Sequence, residues 1–444
     1  MRMLHTSDWH LGRSLHRADL RPAQAAYLDH LVEVVRSEKI DAVLVAGDVY
    51  DRAIPPLDAV ALCEDGLVRL RDAGARVIVT SGNHDSAPRL GFGSSLVDAA
   101  GVYLRTRAGS LAQPVLLADR HGPVAVYGVP YLEPDAVRAD LPHPPGPSPG
   151  HDGAGGAPPR GHAGVLTRAA ECIRADVAAR GGVRSVAMVH AWVAGGEASD
   201  SERDISVGGV GRVPAAVFDG FSYVALGHLH GQQTLDERMR YSGSPLPYSF
   251  SEAGHTKGSW LVELGADGGA RVERVPAPAF RALNVLRGKL ADLLTSAAYD
   301  RYEADFLSIV LTDTSRPEGA MERLRQRFPH VLVLAFEPEG GAGGSRGYRA
   351  KIAGRDDLTV AAEFVEHVRA SPVTPGEREL LAGAFEYARR ADGAEAHPDR
   401  ALPELALPGT ALPGTALPGT ALPGTALPGT ALPETVGAQP GEGG

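Results

Sequence analysis

Six apolar, β-rich runs recur through the first 230 residues, and five of them end in a polar motif that carries Asp, Asn or His. The runs are MRMLHTS at the start, DAVLVAG (41–47), ARVIVTSG (75–82), PVAVYGVP (123–130), RSVAMVH (184–190) and FSYVALG (221–227). Nearly continuous in apolar residues, they read as strands buried on both faces. Between them, residues 21–38 and 57–73 place apolar side chains at helical spacing, so an α/β layered sheet is expected. In such a sheet the strand ends converge on one edge, and that edge is where ligands bind.

The strand ends carry a consistent chemistry. Asp8 and His10 follow the first run, GDVYD supplies Asp48, and GNHD supplies Asn83, His84 and Asp85. MVH then supplies His190, and GHLH supplies His228 and His230. Hydrolysis of a phosphodiester at neutral pH needs an activated water and neutralised charge on the attacking and leaving oxygens, which two metal ions ~3.5–4 Å apart provide. A carboxylate such as Asp48 can bridge both ions, while imidazoles and an Asn carbonyl complete the shells without repelling an anionic substrate. So much imidazole favours Mn, Fe or Zn over Mg or Ca. Two divalent ions are expected, and the donor types leave Mn, Fe and Zn open.

At 444 residues the chain exceeds what one core usually holds, so several domains are expected. Residues 1–277 form the first, interrupted at 134–163 by a Pro- and Gly-rich stretch expected to be a disordered insertion. A second α+β unit is expected over 278–353, from the strands FLSIVLTD (306–313) and HVLVLAFE (330–337) and a helix near 318–328. Two amphipathic helices at 357–370 and 375–390 read as a hairpin (354–390) with little core of its own, which calls for a partner surface. Residues 391–444, with ALPGT five times from Ala406 to Thr430, read as an extended linker, since a proline every five residues prevents a helix.

The net charge is −10, but the tail holds six acidic residues against Arg400 alone and so accounts for −5 of it. The rest is only mildly acidic, and charge does not exclude nucleic acid. No window carries the ~18 apolar residues of a membrane span, and the start lacks a signal-peptide pattern, so a cytoplasmic protein without membrane contact is expected. Cys63 and Cys172, the only cysteines, read as buried reduced thiols.

DWH, GDVYD, GNHD, VH and GHLH, in this order, resemble the calcineurin-like metallophosphoesterase superfamily. TSDWHLGRSL, SGNHDSAPRL, HAWVAGGEASDSERDISVGGVG, DGFSYVALGHLHGQQ and YSGSPLPYSFSE resemble, more closely, the SbcD family, the nuclease components of SbcCD complexes, to about residue 390. The resemblance implies a layered β-sheet sandwich flanked by helices, a capping domain at 278–353 that shapes a DNA groove, and a C-terminal hairpin that binds an SbcC-type ATPase. It implies that Asp8, His10, Asp48 and His230 hold one metal, and Asp48, Asn83, His190 and His228 the other. His84 would protonate the leaving oxygen or steady the transition state, with Asp85 as its orienter. It further implies 3'-to-5' exonuclease activity on double-stranded DNA ends and endonuclease activity on hairpins, within a heterodimer or heterotetramer and with a homodimer through the nuclease domain. The insertion and the ALPGT tail depart from the family pattern.

Other readings compete. A stand-alone small-molecule phosphodiesterase or phosphatase would not need the hairpin. GDVYDR also resembles the GDxxDR element of protein serine/threonine phosphatases, in which Arg52 would grip phosphate, but those carry GNHE rather than GNHD. An adaptor using the domain as a scaffold would lack ligands, and none is missing. His5, inside the first strand, reads as packed structure, Trp192 as packing behind the site, and Tyr248 and Phe250 as packing rather than DNA contacts.

Overall fold

The computed structural model describes residues 1–137, 139–142, 161–202, 211–339, 355–369 and 372–392. They fall into two compact units, 1–347 and 348–444. In chain order the strands begin with β1 (Arg2–Thr6), β2 (Ser14–Leu15), β3 (Ala18–Asp19), β4 (Ala42–Ala46), β5 (Arg76–Thr80) and β6 (Val102–Arg105). Next come β7 (Val115–Asp119), β8 (Gly122–Val129), β9 (Arg184–His190), β10 (Tyr223–Gly227), β11 (Gln233–Thr234) and β12 (Met239–Tyr241). The last are β13 (Gly258–Leu264), β14 (Ala270–Pro276), β15 (Leu283–Gly288), β16 (Phe306–Leu311) and β17 (Val331–Phe336).

Two six-stranded sheets make a sandwich: one in the order β14-β13-β1-β4-β5-β6, the other β11-β12-β10-β9-β8-β7. In the first, β1, β4, β5 and β6 run parallel, joined by crossovers that include the helices Arg21–Ser37 and Leu57–Asp72. The period of two along each strand divides the buried side chains between two cores. Met3, Leu44 and Ile78 point between the sheets, where they meet Val126, Val186, Met188 and Tyr223 of the second sheet. Leu4, Val43 and Val45 point the other way, under Tyr27, Leu28 and Leu31 of the first helix. Both faces are therefore covered, which is why these runs carry no polar alternation. His5 lies between the sheets with Nδ1 3.0 Å from the Tyr223 hydroxyl and Nε2 3.1 Å from the Leu226 carbonyl. It is a packed residue that ties one sheet to the other.

The fold is thus the expected layered α/β sandwich. Residues at both margins of the expected insertion are folded: Pro134–Val137 makes a helical turn, Leu141 is buried, and a helix begins at Gly161 and runs to Ala179. That helix buries Val165, Leu166, Ala169, Ala170 and Ile173 against the second sheet. Residues 143–160 and the repeat tail lie outside the described residues. Cys63 and Cys172 are free and buried.

Residues 283–336 form a three-stranded parallel sheet, β15-β16-β17, around Leu286, Leu293, Ile309, Leu324 and Phe328. The helix Ala320–Arg327 and the strands β16 and β17 are the expected elements, and β15 was not anticipated. Leu283 and Phe306 pack with Leu15, Leu20, Leu246 and Tyr248, so this sheet is seated on the sandwich near the metal-motif loops. In the second unit, helices Asp357–Arg369 and Pro375–Asp392 form the hairpin. The second helix starts with a capping box: Thr374 and Glu377 exchange backbone N–H bonds through their side chains.

Candidate metal centre

Strand register brings the motif residues together. The pairs Thr6 with Val45 and Ala46 with Thr80 end β1, β4 and β5 at one level, so the loops bearing Asp8, Asp48 and Asn83 leave side by side. In the second sheet Gly227 pairs with His190, which sets His228 beside it. Among the described residues seven that are not glycine have positive φ, and four of them are Asp8 (53°), His10 (45°), Asp48 (49°) and His228 (104°). A left-handed backbone costs an L-residue of order 1–3 kcal/mol and persists where the surroundings hold it. Here it turns each side chain inward within the first four residues after its strand ends.

Two motif glycines are explained by close approach. A Cβ on Gly82 would lie 2.1 Å from Asp48 Oδ1, and one on Gly227 would lie 1.9 Å from the Ala46 carbonyl oxygen. GNHD and GHLH need glycine because other chain segments occupy that space.

Asp8, His10, Asp48, His190, His228 and His230 are all at most 2% exposed. Three overlapping groups of donor atoms, each within 4.8 Å, are Asp8/His10/His230, Asp8/Asp48/His190 and His10/Asp48/His84. His10 Nε2 lies 3.0 Å from His230 Nε2. Asn83 Oδ1 lies 3.0 Å from His190 Nε2 and 3.2 Å from His228 Nδ1. The sequence-derived residues thus form one cluster, with Asp48 between its two halves.

The donor set fits metal ions. His190 donates from Nδ1 to the Ala46 carbonyl (2.9 Å), so in its neutral form the Nε2 lone pair points at the Asn83 oxygen. Burial holds His10 and His228 well below the usual imidazole range, which keeps them neutral with lone pairs available. Burial likewise pushes the Asp8 carboxyl up to about 6. His10 Nδ1 and Asn83 Nδ2 are buried without a hydrogen-bond partner among the described residues. Lone pairs facing one another in a dry site repel, and a cation among them removes that repulsion.

A family model described as calcineurin-like phosphoesterase matches residues 1–138. A second, described as the type 5 capsule protein repressor C-terminal domain (SbcD_C), matches residues 279–369. The chain belongs to the SbcD family of calcineurin-like metallophosphoesterases. Similar solved structures include a novel archaeal phosphodiesterase (12% identity, 62% of this chain and 100% of that one, TM-score 0.27). Others are GAP50, the anchor in the inner membrane complex of Plasmodium (11%, 78% and 99%, 0.37), and the AHE enzyme from Alicyclobacillus herbarius (10%, 76% and 88%, 0.21). Scores this low leave the assignment on the two family matches, and with it a metal-dependent phosphoester hydrolase that resembles SbcD nucleases.

Around this SbcD-family centre sit groups that the motifs did not reveal. His84 Nδ1 lies 2.8 Å from the Asp51 backbone carbonyl, which must accept its proton and so leaves Nε2 toward the cluster. The His10 and His84 rings are 4.7 Å apart. Asp85 was expected to orient His84. Its carboxylate instead accepts the backbone N–H groups of Val49 (3.1 Å), Tyr50 (2.9 Å) and Gly82 (2.9 Å), tying the GDVYD loop to the GNHD loop. The orienter of the ring is a carbonyl, which no side-chain motif encodes.

Behind His230 stand Ser201, Glu202, Glu252 and Lys257; Glu202 accepts the His230 backbone N–H at 2.6 Å. A buried pair formed by Glu252 at the end of a single 3-10 turn and Lys257 just before β13 leaves no periodic signal in a sequence. Tyr248 is 5% exposed, with its ring 5.4 Å from that of His10 and the Arg13 guanidinium 5.0 Å above it, so it packs behind the cluster. Trp192 lies 6.4 Å from the His228 ring, also as packing. Arg52 is 66% exposed, near Asp51 at 3.9 Å.

Proposed function

We propose that this chain is the DNA-cutting subunit of an SbcCD-type complex, acting in DNA repair, recombination and replication. The observation that carries the reading is the joint presence of a buried Asp/Asn/His cluster on the phosphoesterase sandwich and the SbcD_C match that begins at the capping sheet. Asp8, His10, Asp48 and His230 would hold one divalent ion and Asp48, Asn83, His190 and His228 the other, with Mn2+ the first choice. When bound, the ions would supply charge neutralisation for the phosphodiester oxygens and activation of the attacking water. His84, held through Nδ1–H by the Asp51 carbonyl, would present Nε2 to the leaving oxygen and, as an imidazolium protonated on both ring nitrogens, give it the Nε2 proton and become the neutral ring. Asp85 would keep the two ligand loops in register.

The remaining parts of the proposal concern partners and place. The sheet at 283–336 would cap a groove for double-stranded and hairpin DNA, with 3'-to-5' exonuclease and hairpin endonuclease activities. Phe364, Leu380 and Tyr387 are exposed on the hairpin, which supports an apolar docking surface for an SbcC-type ATPase in a heterodimer or heterotetramer. Exposed Ile54, Leu57, Phe92 and Leu96 support a homodimer through the nuclease domain. No described helix is long and apolar enough to cross a membrane, and the proposed work on DNA belongs in the cytoplasm.

The test is cleavage of an end-labelled duplex and a hairpin by the purified chain in Mn2+, beside His84→Ala and a chelator control. Cutting by the wild type, with a variant that binds Mn2+ and does not cut, is the expected result. Intact DNA, even after addition of the ATPase, together with hydrolysis of bis-p-nitrophenyl phosphate would replace this reading with a small-molecule phosphodiesterase.

A further inference from the structure

Lys257 Nζ has three protons, and three acceptors surround it: a Glu252 oxygen, the His230 carbonyl oxygen at 2.8 Å and the Ser244 hydroxyl at 2.9 Å. It is therefore an ammonium, 8% exposed, paired with a fully buried carboxylate. Glu252 accepts on its other oxygen from the Tyr248 backbone N–H (3.1 Å) and from the Ser201 hydroxyl. The Lys257 ammonium in contact with its second oxygen makes Glu252 a carboxylate. As a carboxylate it can only accept.

Ser201 has a single hydroxyl proton: the Ser199 hydroxyl 3.0 Å away spends its own proton on Glu202, and the nearer, charged acceptor Glu252 takes that of Ser201. Toward His230 Nδ1, 2.5 Å away, the serine oxygen can then only accept. Nδ1 must carry the ring proton, and Nε2, facing His10 Nε2 at 3.0 Å, is bare. We infer that Ser201, backed by Glu252 and Lys257, is the positioning residue that fixes His230 in the tautomer presenting its Nε2 lone pair to Asp8 and His10. The inference rests on the metal-centre reading above and adds to it a Lys–Glu–Ser–His chain in which only Glu252, at the end of the 3-10 turn Phe250–Glu252, belongs to a regular element. Partners of this kind set the ring orientation and basicity of a ligating histidine.

The experiment uses the full chain labelled with 15N-histidine, freed of metal by a chelator, with two-bond 1H–15N spectra to read each ring's tautomer and calorimetry with Mn2+ alone to read affinity. The wild type shows His230 protonated on Nδ1. In Ser201→Ala that fixed pattern gives way to an averaged one and Mn2+ binds about 10- to 100-fold more weakly, while Ser201→Thr restores both. A wild-type His230 protonated on Nε2 overturns the inference whatever the variants do. So does a folded Ser201→Ala chain with wild-type tautomer and wild-type Mn2+ affinity. A wild-type chain that binds no Mn2+ overturns the metal-centre reading itself, and the wild-type titration tells that failure apart from failure of the relay.

Discussion

His10 and His230 approach through their Nε2 atoms at 3.0 Å, one from the first sheet and one from the second. Without a cation between them this contact offers two lone pairs, or one proton for two bases. Mn2+ should therefore stabilise the fold. At a free concentration 100 times Kd the gain is about 2.7 kcal/mol, read as a rise in Tm that a chelator reverses. His230→Ala should lose most of that rise. A Tm indifferent to Mn2+ in the wild type would contradict the ligand assignment.

Asp85 satisfies three backbone N–H groups from two loops. Asp85→Ala leaves them buried and unpaired, at roughly 1–3 kcal/mol each. The expected outcome is a Tm lower by many degrees and phosphodiester hydrolysis reduced together with Mn2+ affinity, because both ligand loops loosen. Unchanged Mn2+ affinity with lost hydrolysis would instead assign Asp85 to the chemistry.

Asp119 at the end of β7 takes two hydrogen bonds from Arg184, at 2.5 and 3.1 Å. The Arg184 guanidinium holds its carboxyl well below the usual carboxylate range. A depressed folded pKa contributes stability that is fully present above the unfolded value of about 3.9 and is lost as pH falls through the folded value. Asp119→Asn should therefore lower Tm at pH 7, and the gap to the wild type should close as the pH is taken below about 4. A gap that is constant across that range would place the effect in packing rather than charge.

Leu380 is 65% exposed on the hairpin. Leu380→Asp should change stability by no more than about 0.5 kcal/mol, as exposed substitutions do. It should leave Mn2+-dependent hydrolysis of a small diester intact while weakening capture of an SbcC-type ATPase at least tenfold in a pull-down titration. Loss of diester hydrolysis would show that the hairpin serves the catalytic domain directly.

The site residues were legible because each follows an apolar strand run, and parallel strands must end at a common edge. Asp8, Asp48, Asn83, His190 and His228 announce themselves in this way. The outer groups do not. The Asp51 carbonyl that orients His84 has no side-chain signature, and Asp85 beside it in sequence drew that role by proximity alone. Glu252 ends a three-residue 3-10 turn and Lys257 lies between it and β13, where burial depends on which segments fold over them. The strand β15 was missed because only three of the six residues of LNVLRG are apolar, broken by Asn284 and ended by Arg287 and Gly288, whereas β16 and β17 are apolar almost throughout.

The His5–Tyr223 and Met3–Met188 packing between the sheets does more than bury apolar surface. Asp8, His10, Asp48 and Asn83 hang from one sheet, and His190, His228 and His230 from the other. An ion held by both groups would clasp the sandwich shut, and the spacing of the sheets would then limit how closely the two sets of donors approach it. Met3 on β1 and Met188 on β9 lie on the strands that lead to Asp8 and His190, so the sizes of these inter-sheet side chains would act as calipers and set how tightly the clasp could close.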